Sequence, residues 1–181
     1  MDSTIKEAPL PDVTWLRTLS TIDYSDTFIA EWDSEHSFSS EDMLVAVFCR
    51  TPPTWLKLLY MIRNSLVRLF RVTESGNEKD GDFANAIRDG KPHGIFQVQF
   101  KSMPETVLLG QDKHLDFYFS LQTDVNPAQK RRMIATTVVR FNNTAGRVYF
   151  FFIRPFHRYI VPAMMKKAIR ELEKGQEAQA C

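Results

Sequence analysis

Cysteine is scarce in this chain: Cys49 sits inside an apolar stretch and Cys181 is the last residue. Two thiols so far apart supply neither a disulfide framework nor the close spacing of a zinc site, so no metal is expected and a reducing, cytoplasmic location is. Long hydrophobic runs are missing too. None approaches the roughly 18 residues that a membrane-spanning helix needs. Residues 1–20 carry Asp2, Glu7 and Asp12 and lack an apolar core, so no secretion signal is expected. The Asn142–Thr144 glycosylation pattern then has no meaning. There is no glycine-rich phosphate loop and no nucleophile elbow, so no cofactor is expected.

Acid is absent from residues 125–170, which hold ten Lys/Arg. The opposite bias precedes it: residues 1–43 hold ten Asp/Glu against two Lys/Arg. A basic stretch of this kind suits an anionic partner, although an acidic segment packed beside it would neutralise it. No nucleic-acid-binding motif accompanies the bases, so nucleic acid is not expected, and a peripheral contact with an anionic membrane is the other alternative. Oligomeric state is not legible.

What is abundant is phenylalanine, 14 residues in a chain of 181, a length suited to one domain spanning residues 1–181. Residues 1–20 are broken by proline and read as irregular, with Trp15 and Leu16 as anchors; residues 175–181 read as a flexible tail. The stretch 24–32, "YSDTFIAEW", alternates as a strand should. A serine cap at Ser39 or Ser40 and early acids start a helix, and Thr51 with Pro52 starts another, whose stripe runs through Trp55, Leu59, Ile62 and Leu66. Residues 73–82 read as an exposed loop, and residues 82–90 as a helical turn closed by Gly90. The period then switches to two, predicting strands near 94–101, 105–109, 113–123, 131–141 and 147–154. A helix from Pro155 to about Lys174 closes the chain, its stripe through Phe156, Ile160, Met164, Ala168 and Leu172, with Pro162 placed to kink it. The order predicts an α+β helix-grip fold: a curved antiparallel sheet of about six strands wrapped around a long C-terminal helix, with two helices after the first strand.

Three blocks carry a resemblance: "RTPPTWLKLLYMIRNSLV", "ETVLLGQDKHLDFYFSL" and "GRVYFFFIRPFHRYIVPAMMKKA". Together they resemble the signature of a bacterial family catalogued as domain of unknown function 2867, from about residue 24 to 172. At the level of element order the chain is more distantly similar to the pollen-allergen, lipid-transfer and polyketide-cyclase group. Some members of the first family are joined to nucleotide-binding dehydrogenase domains, which these residues do not contain. The chain departs from the family pattern at Gln111, where an acid is usual, and at Tyr118, where a basic residue is usual.

Helix-grip folds tend to leave a cavity between sheet and helix, so the expected function is binding of a small apolar or amphipathic ligand there. Candidate lining residues are Trp55, Phe150, Phe152, Met164 and Met165, although the same residues could close a solid core, which a pocket below about 300 Å³ together with no co-purifying apolar molecule would favour. The segment "GQDKHLDFYFSL", with the following Gln122, sets His114, Asp116, Tyr118, Ser120 and Gln122 on one face of a strand, which if turned inward would give the cavity a floor of polar ligand-binding groups. An aspartate beside a histidine fixes its tautomer and raises its basicity, so a cyclase- or hydrolase-like enzyme using His114 and Asp116 is the catalytic alternative. The plainer alternative is that this polar face meets solvent. Arg63 could reach a ligand carboxylate or phosphate. His157, near the expected start of the last helix, is expected to cap backbone amides or bond a strand end.

Overall fold

The computed structural model describes residues 3–49 and 80–179. Six antiparallel strands form one sheet: β1 (Thr4–Glu7), β2 (Tyr24–Trp32), β3 (Phe96–Lys101), β4 (Glu105–Gln111), β5 (Leu115–Val125) and β6 (Arg131–Phe141), in the order β1-β2-β6-β5-β4-β3. Among the described residues three helices accompany them: α1 (Ser40–Cys49), α2 (Asp80–Asp89) and the long α3 (Thr144–Gln179), with a short 3₁₀ turn at Leu16–Thr18. This is an α+β arrangement consistent with a helix grip. The helix expected over 51–70, with Trp55 and Arg63, lies outside the described residues.

Local chemistry accounts for the helix ends. Ser39 accepts the Asp42 amide at 3.1 Å and donates its hydroxyl to the Asp42 carboxylate at 2.7 Å, a reciprocal cap at the start of α1. Gly90, at φ 68°, ends α2 as sequence reading predicts; Lys91 N bonds Ala86 O at 2.8 Å and Gly90 N bonds Ile87 O at 3.3 Å, a Schellman closure.

Several expectations change. Residues 147–154 are not a strand but the opening turns of α3. Asn143 is the reason: its Oδ1 accepts the Gly146 amide at 3.1 Å and its carbonyl accepts the Arg147 amide, so the helix starts here and not at Pro155. Both Pro155 and Pro162 lie inside it, and α3 continues to Gln179 through the stretch expected as a tail. The sixth strand is instead Thr4–Glu7, from the segment expected to be irregular; it pairs with β2 from Thr4↔Glu31 to Glu7↔Phe28. Asp80–Gly81–Asp82 open α2 and are not loop.

The helix-facing side of the sheet carries two apolar clusters. In the larger, Val161, Met165, Ala168 and Ile169 of α3 pack with Met43, Leu44 and Val47 of α1 over Phe28, Ala30, Trp32, Phe119, Leu121 and Met133. In the smaller, Tyr149 and Phe150 pack with Leu115 and Val139, flanked by Tyr24, Phe117, Phe141 and Ile153. The buried stripe of α3 is therefore one step away from the expected one. Met164 is only partly buried, at the edge of the larger cluster.

Candidate functional site

The site follows from the alternation of β2. Tyr24, Asp26, Phe28, Ala30 and Trp32 share the side that faces the helix, and Asp26 lies directly opposite Thr137 of β6. Above them passes the inner stripe of α3, in which His157 sits one turn from both Ile153 and Val161. His157 Nε2 stands 3.0 Å from Thr137 Oγ1 and 3.4 Å from Asp26 Oδ2. The Tyr24 hydroxyl donates to Asp26 Oδ2 at 2.6 Å. Asp26 Oδ1 is buried and has no hydrogen-bond partner among the described residues.

Burial alone would raise the Asp26 carboxyl, but hydrogen bonding and charge from His157, with further bonds from Tyr24 and Thr137, outweigh it and hold the pKa below the ordinary aspartate value. Burial, and then the adjacent Asp26 carboxylate, push the Tyr24 phenol well above its usual range, against a smaller opposing pull from Arg154 and Arg158. The Arg154 guanidinium lies 5.3 Å from the centre of the Tyr24 ring.

Beside this cluster is a cavity of about 210 Å³ between sheet and helix. Leu115, Phe117, Val139, Phe150 and Ile153 make its apolar wall, and Gln111, Asp112, Thr137 and His157 add polar groups. Gly110 sits in the wall because Phe117 occupies the space a side chain there would take. The volume falls below the roughly 300 Å³ of a drug-sized pocket, which meets one of the two conditions for a solid core; the other, the absence of a co-purifying molecule, is a property of the purified protein. No group of three or more His, Cys, Asp or Glu among the described residues is arranged to hold a metal.

Of the residues singled out in the sequence, Phe150 lines this cavity, and Phe152 does not. A strand would have put both on one face; the helical period turns Phe152 outward, 48% exposed. The row His114–Asp116–Tyr118 divides. His114 lies in the turn before β5, its Nδ1 3.1 Å from Asn143 Oδ1. Asp116, only 3% exposed, receives Arg140 at 2.5 Å and Asn142 at 3.2 Å. The pair is thus not assembled as an acid–base dyad. Nor is this face wet. Tyr118 belongs to a small cluster on the side of the sheet away from α3, with Trp15, Leu16, Val107 and Val138. There the Trp15 indole donates to Glu105 at 2.8 Å, as does the Ser120 hydroxyl at 2.5 Å.

Asp26 escaped sequence reading, yet a signal existed: an acid at the same parity as Phe28, Ala30 and Trp32. His157 had a comparable signal, its spacing of four from Ile153 and from Val161.

A family comparison bears on the same stretch. The family described as "Protein of unknown function (DUF2867)" matches residues 18–164. The chain belongs to this family. Tyr24, Asp26, Thr137, His157 and every lining residue of the cavity fall within the part of the chain that defines DUF2867 membership. Neither the curated proteins nor the solved structures yielded a match.

Proposed function

We propose that this DUF2867 protein binds a small amphipathic molecule, about the size of one substituted ring, between the sheet and α3. The observation that carries the reading is a cavity of about 210 Å³ with an aromatic and aliphatic wall and with His157 and Thr137 among its few polar groups. A dry cavity of about 150 Å³ in another protein accommodates benzene, so this volume suits a single ring and excludes a lipid chain. The polar groups would orient the ligand by its hydroxyl, carbonyl or amine.

The test has two arms. Native mass spectrometry of freshly purified protein looks for a retained small molecule, and thermal unfolding is followed with indole and with p-cresol as probes. Binding to the folded state raises the midpoint with probe concentration. Ile153→Trp, which fills the space from within, is expected to remove that response while the protein stays folded. No retained molecule together with no midpoint shift for any probe would favour a solid core.

A second reading is favoured by the contact between Asp26 and His157: the site moves a proton as well as binding. Asp26, opposite Thr137 on the neighbouring strand, would hold Nε2 and orient the imidazole, leaving Nδ1 of His157 to act as general base toward a ligand in the cavity. Under this reading His157→Gln abolishes turnover of a bound probe and leaves its binding in place. Fold resemblance supplies no chemistry of its own, so a substrate has to be found first.

A further inference from the structure

We propose that the outward face of α3 docks on an anionic lipid membrane. This surface is separate from the cavity, although the same turns of helix build both. Because Tyr149, Phe150, Ile153 and His157 turn inward, the helical period turns Val148, Phe151, Phe152, Pro155 and Tyr159 outward. Phe151 is 72% exposed and Tyr159 71%, so large apolar rings gather on the solvent side of a helix whose other side packs on the sheet. Phe151 and Phe152 touch edge to face, 5.5 Å between centroids, and make one apolar knob. An open groove of about 540 Å³ runs beside them, lined by Phe151, Phe152, Arg154, Pro155, Phe156 and Arg158.

Charge identifies the occupant. The exposed positions that interrupt and continue this face are Arg147, Arg154, Arg158, Lys166 and Arg170, and no acid occurs between residues 125 and 170. Arg147 is paired with Asp23 and Arg158 with Glu7. Among the described residues Arg154, Lys166 and Arg170 have no carboxylate partner. Aromatic rings flanked by cations match the boundary of an anionic bilayer, where rings settle at headgroup depth and cations meet phosphates. Single-stranded nucleic acid also accepts cations and rings, but it stacks on faces presented singly, whereas Phe151 and Phe152 are packed against each other. The contact is peripheral: no described helix is long and apolar enough to cross a membrane.

Flotation of the full chain with phosphatidylcholine vesicles, with and without about one-third phosphatidylserine, tests the proposal at low and physiological salt. Binding to the anionic vesicles is expected, weakening as salt rises and absent from neutral ones. The triple variant Phe151→Ser, Phe152→Ser, Tyr159→Ser should bind roughly tenfold less at an unchanged thermal midpoint. Arg154→Gln with Lys166→Gln and Arg170→Gln should lose the preference for anionic lipid. No binding at low salt, or equal binding by both variants, would overturn the proposal. So would a marked fall in thermal midpoint of the aromatic variant, which would mean that the protein itself covers the face. Binding of an oligonucleotide but not of vesicles would assign the face to nucleic acid, and a dimer lost in the aromatic variant would assign it to a second copy; either outcome also overturns it.

Discussion

Gly146 lies directly against the backbone carbonyl of His114, so that a side-chain carbon there would overlap the oxygen. The first turn of α3 is thereby seated on the β4–β5 turn, where Asn142 N also bonds His114 O at 2.9 Å and Asn143 Nδ2 reaches Lys113 O at 2.9 Å. Backbone cannot rotate aside as a flexible side chain can. Gly146→Ala should therefore cost about 1–3 kcal/mol despite its better helix propensity, measured as a lowered urea midpoint. Ala145→Gly, one position earlier, is expected to cost less, which separates the clash from propensity.

At the other end of α3, Glu173 Oε1 accepts the Trp32 indole N–H at 2.9 Å, both side chains buried. Removing the acceptor strands a buried donor. Glu173→Ala is expected to lose about 1–3 kcal/mol, and Glu173→Gln, which keeps an acceptor oxygen, distinctly less. Chemical denaturation of the two variants side by side decides it. Equal losses would mean that the bond contributes nothing beyond packing.

Asp26 yields a pH prediction with a definite sign. Its pKa is lower in the folded protein than the ordinary value of 3.8. The folded state therefore binds fewer protons there than the unfolded chain does. The associated stability is present above the ordinary aspartate value and is lost as pH falls through the lowered one. Thermal midpoints of the wild type and Asp26→Asn, followed downward from neutral pH, should converge in acid. Parallel curves would contradict the His157–Asp26–Tyr24 arrangement.

Trp15 tests the outer face. It stacks on Tyr118 with 5.9 Å between centroids and donates to the buried Glu105. Trp15→Ala should cost about 3 kcal/mol, from lost packing and a carboxylate left with fewer donors. Any probe bound in the cavity should keep its affinity after correction for stability, because the sheet separates the two.

Strands β2 and β6 were legible to the residue. Each is long and is bounded by polar or turn residues; β2 alternates, while β6 is a run of apolar and β-branched residues buried on both faces. The stretch "VYFFFI" was not, because aromatic and β-branched residues signal a strand by composition while its period is that of a helix. Pro155 looked like a helix start; the competing signal was Asn143, read as part of a turn although asparagine also caps. Thr4–Glu7 carries almost no local pattern, and its extended form comes from pairing with β2. Phe150 lines the cavity through the helical period of α3, whereas the sequence pointed to it by a period of two. The polar cluster was half legible. His157 stood out as a residue but was assigned to a helix start, and Asp26 was hidden because an acid among apolar neighbours is usually discounted. The row at His114 was legible as alternation; what covers it comes from a segment a hundred residues away in sequence.

The pairing of β2 with β6 has a kinetic consequence. Thr27 and Thr136, whose hydroxyls meet at 3.2 Å, are separated by 109 positions. The meander β3-β4-β5-β6 joins neighbours through short turns and can assemble locally. Docking β2 against it requires closing a loop of that length, and only then can α3 meet both sheet and α1. Non-local pairing of this kind slows folding more than it weakens the folded state. The buried contact between Trp32 and Glu173, ends of the two late arrivals, should accordingly form after the rate-limiting step. Its loss would then be felt as faster unfolding, with the folding rate almost untouched.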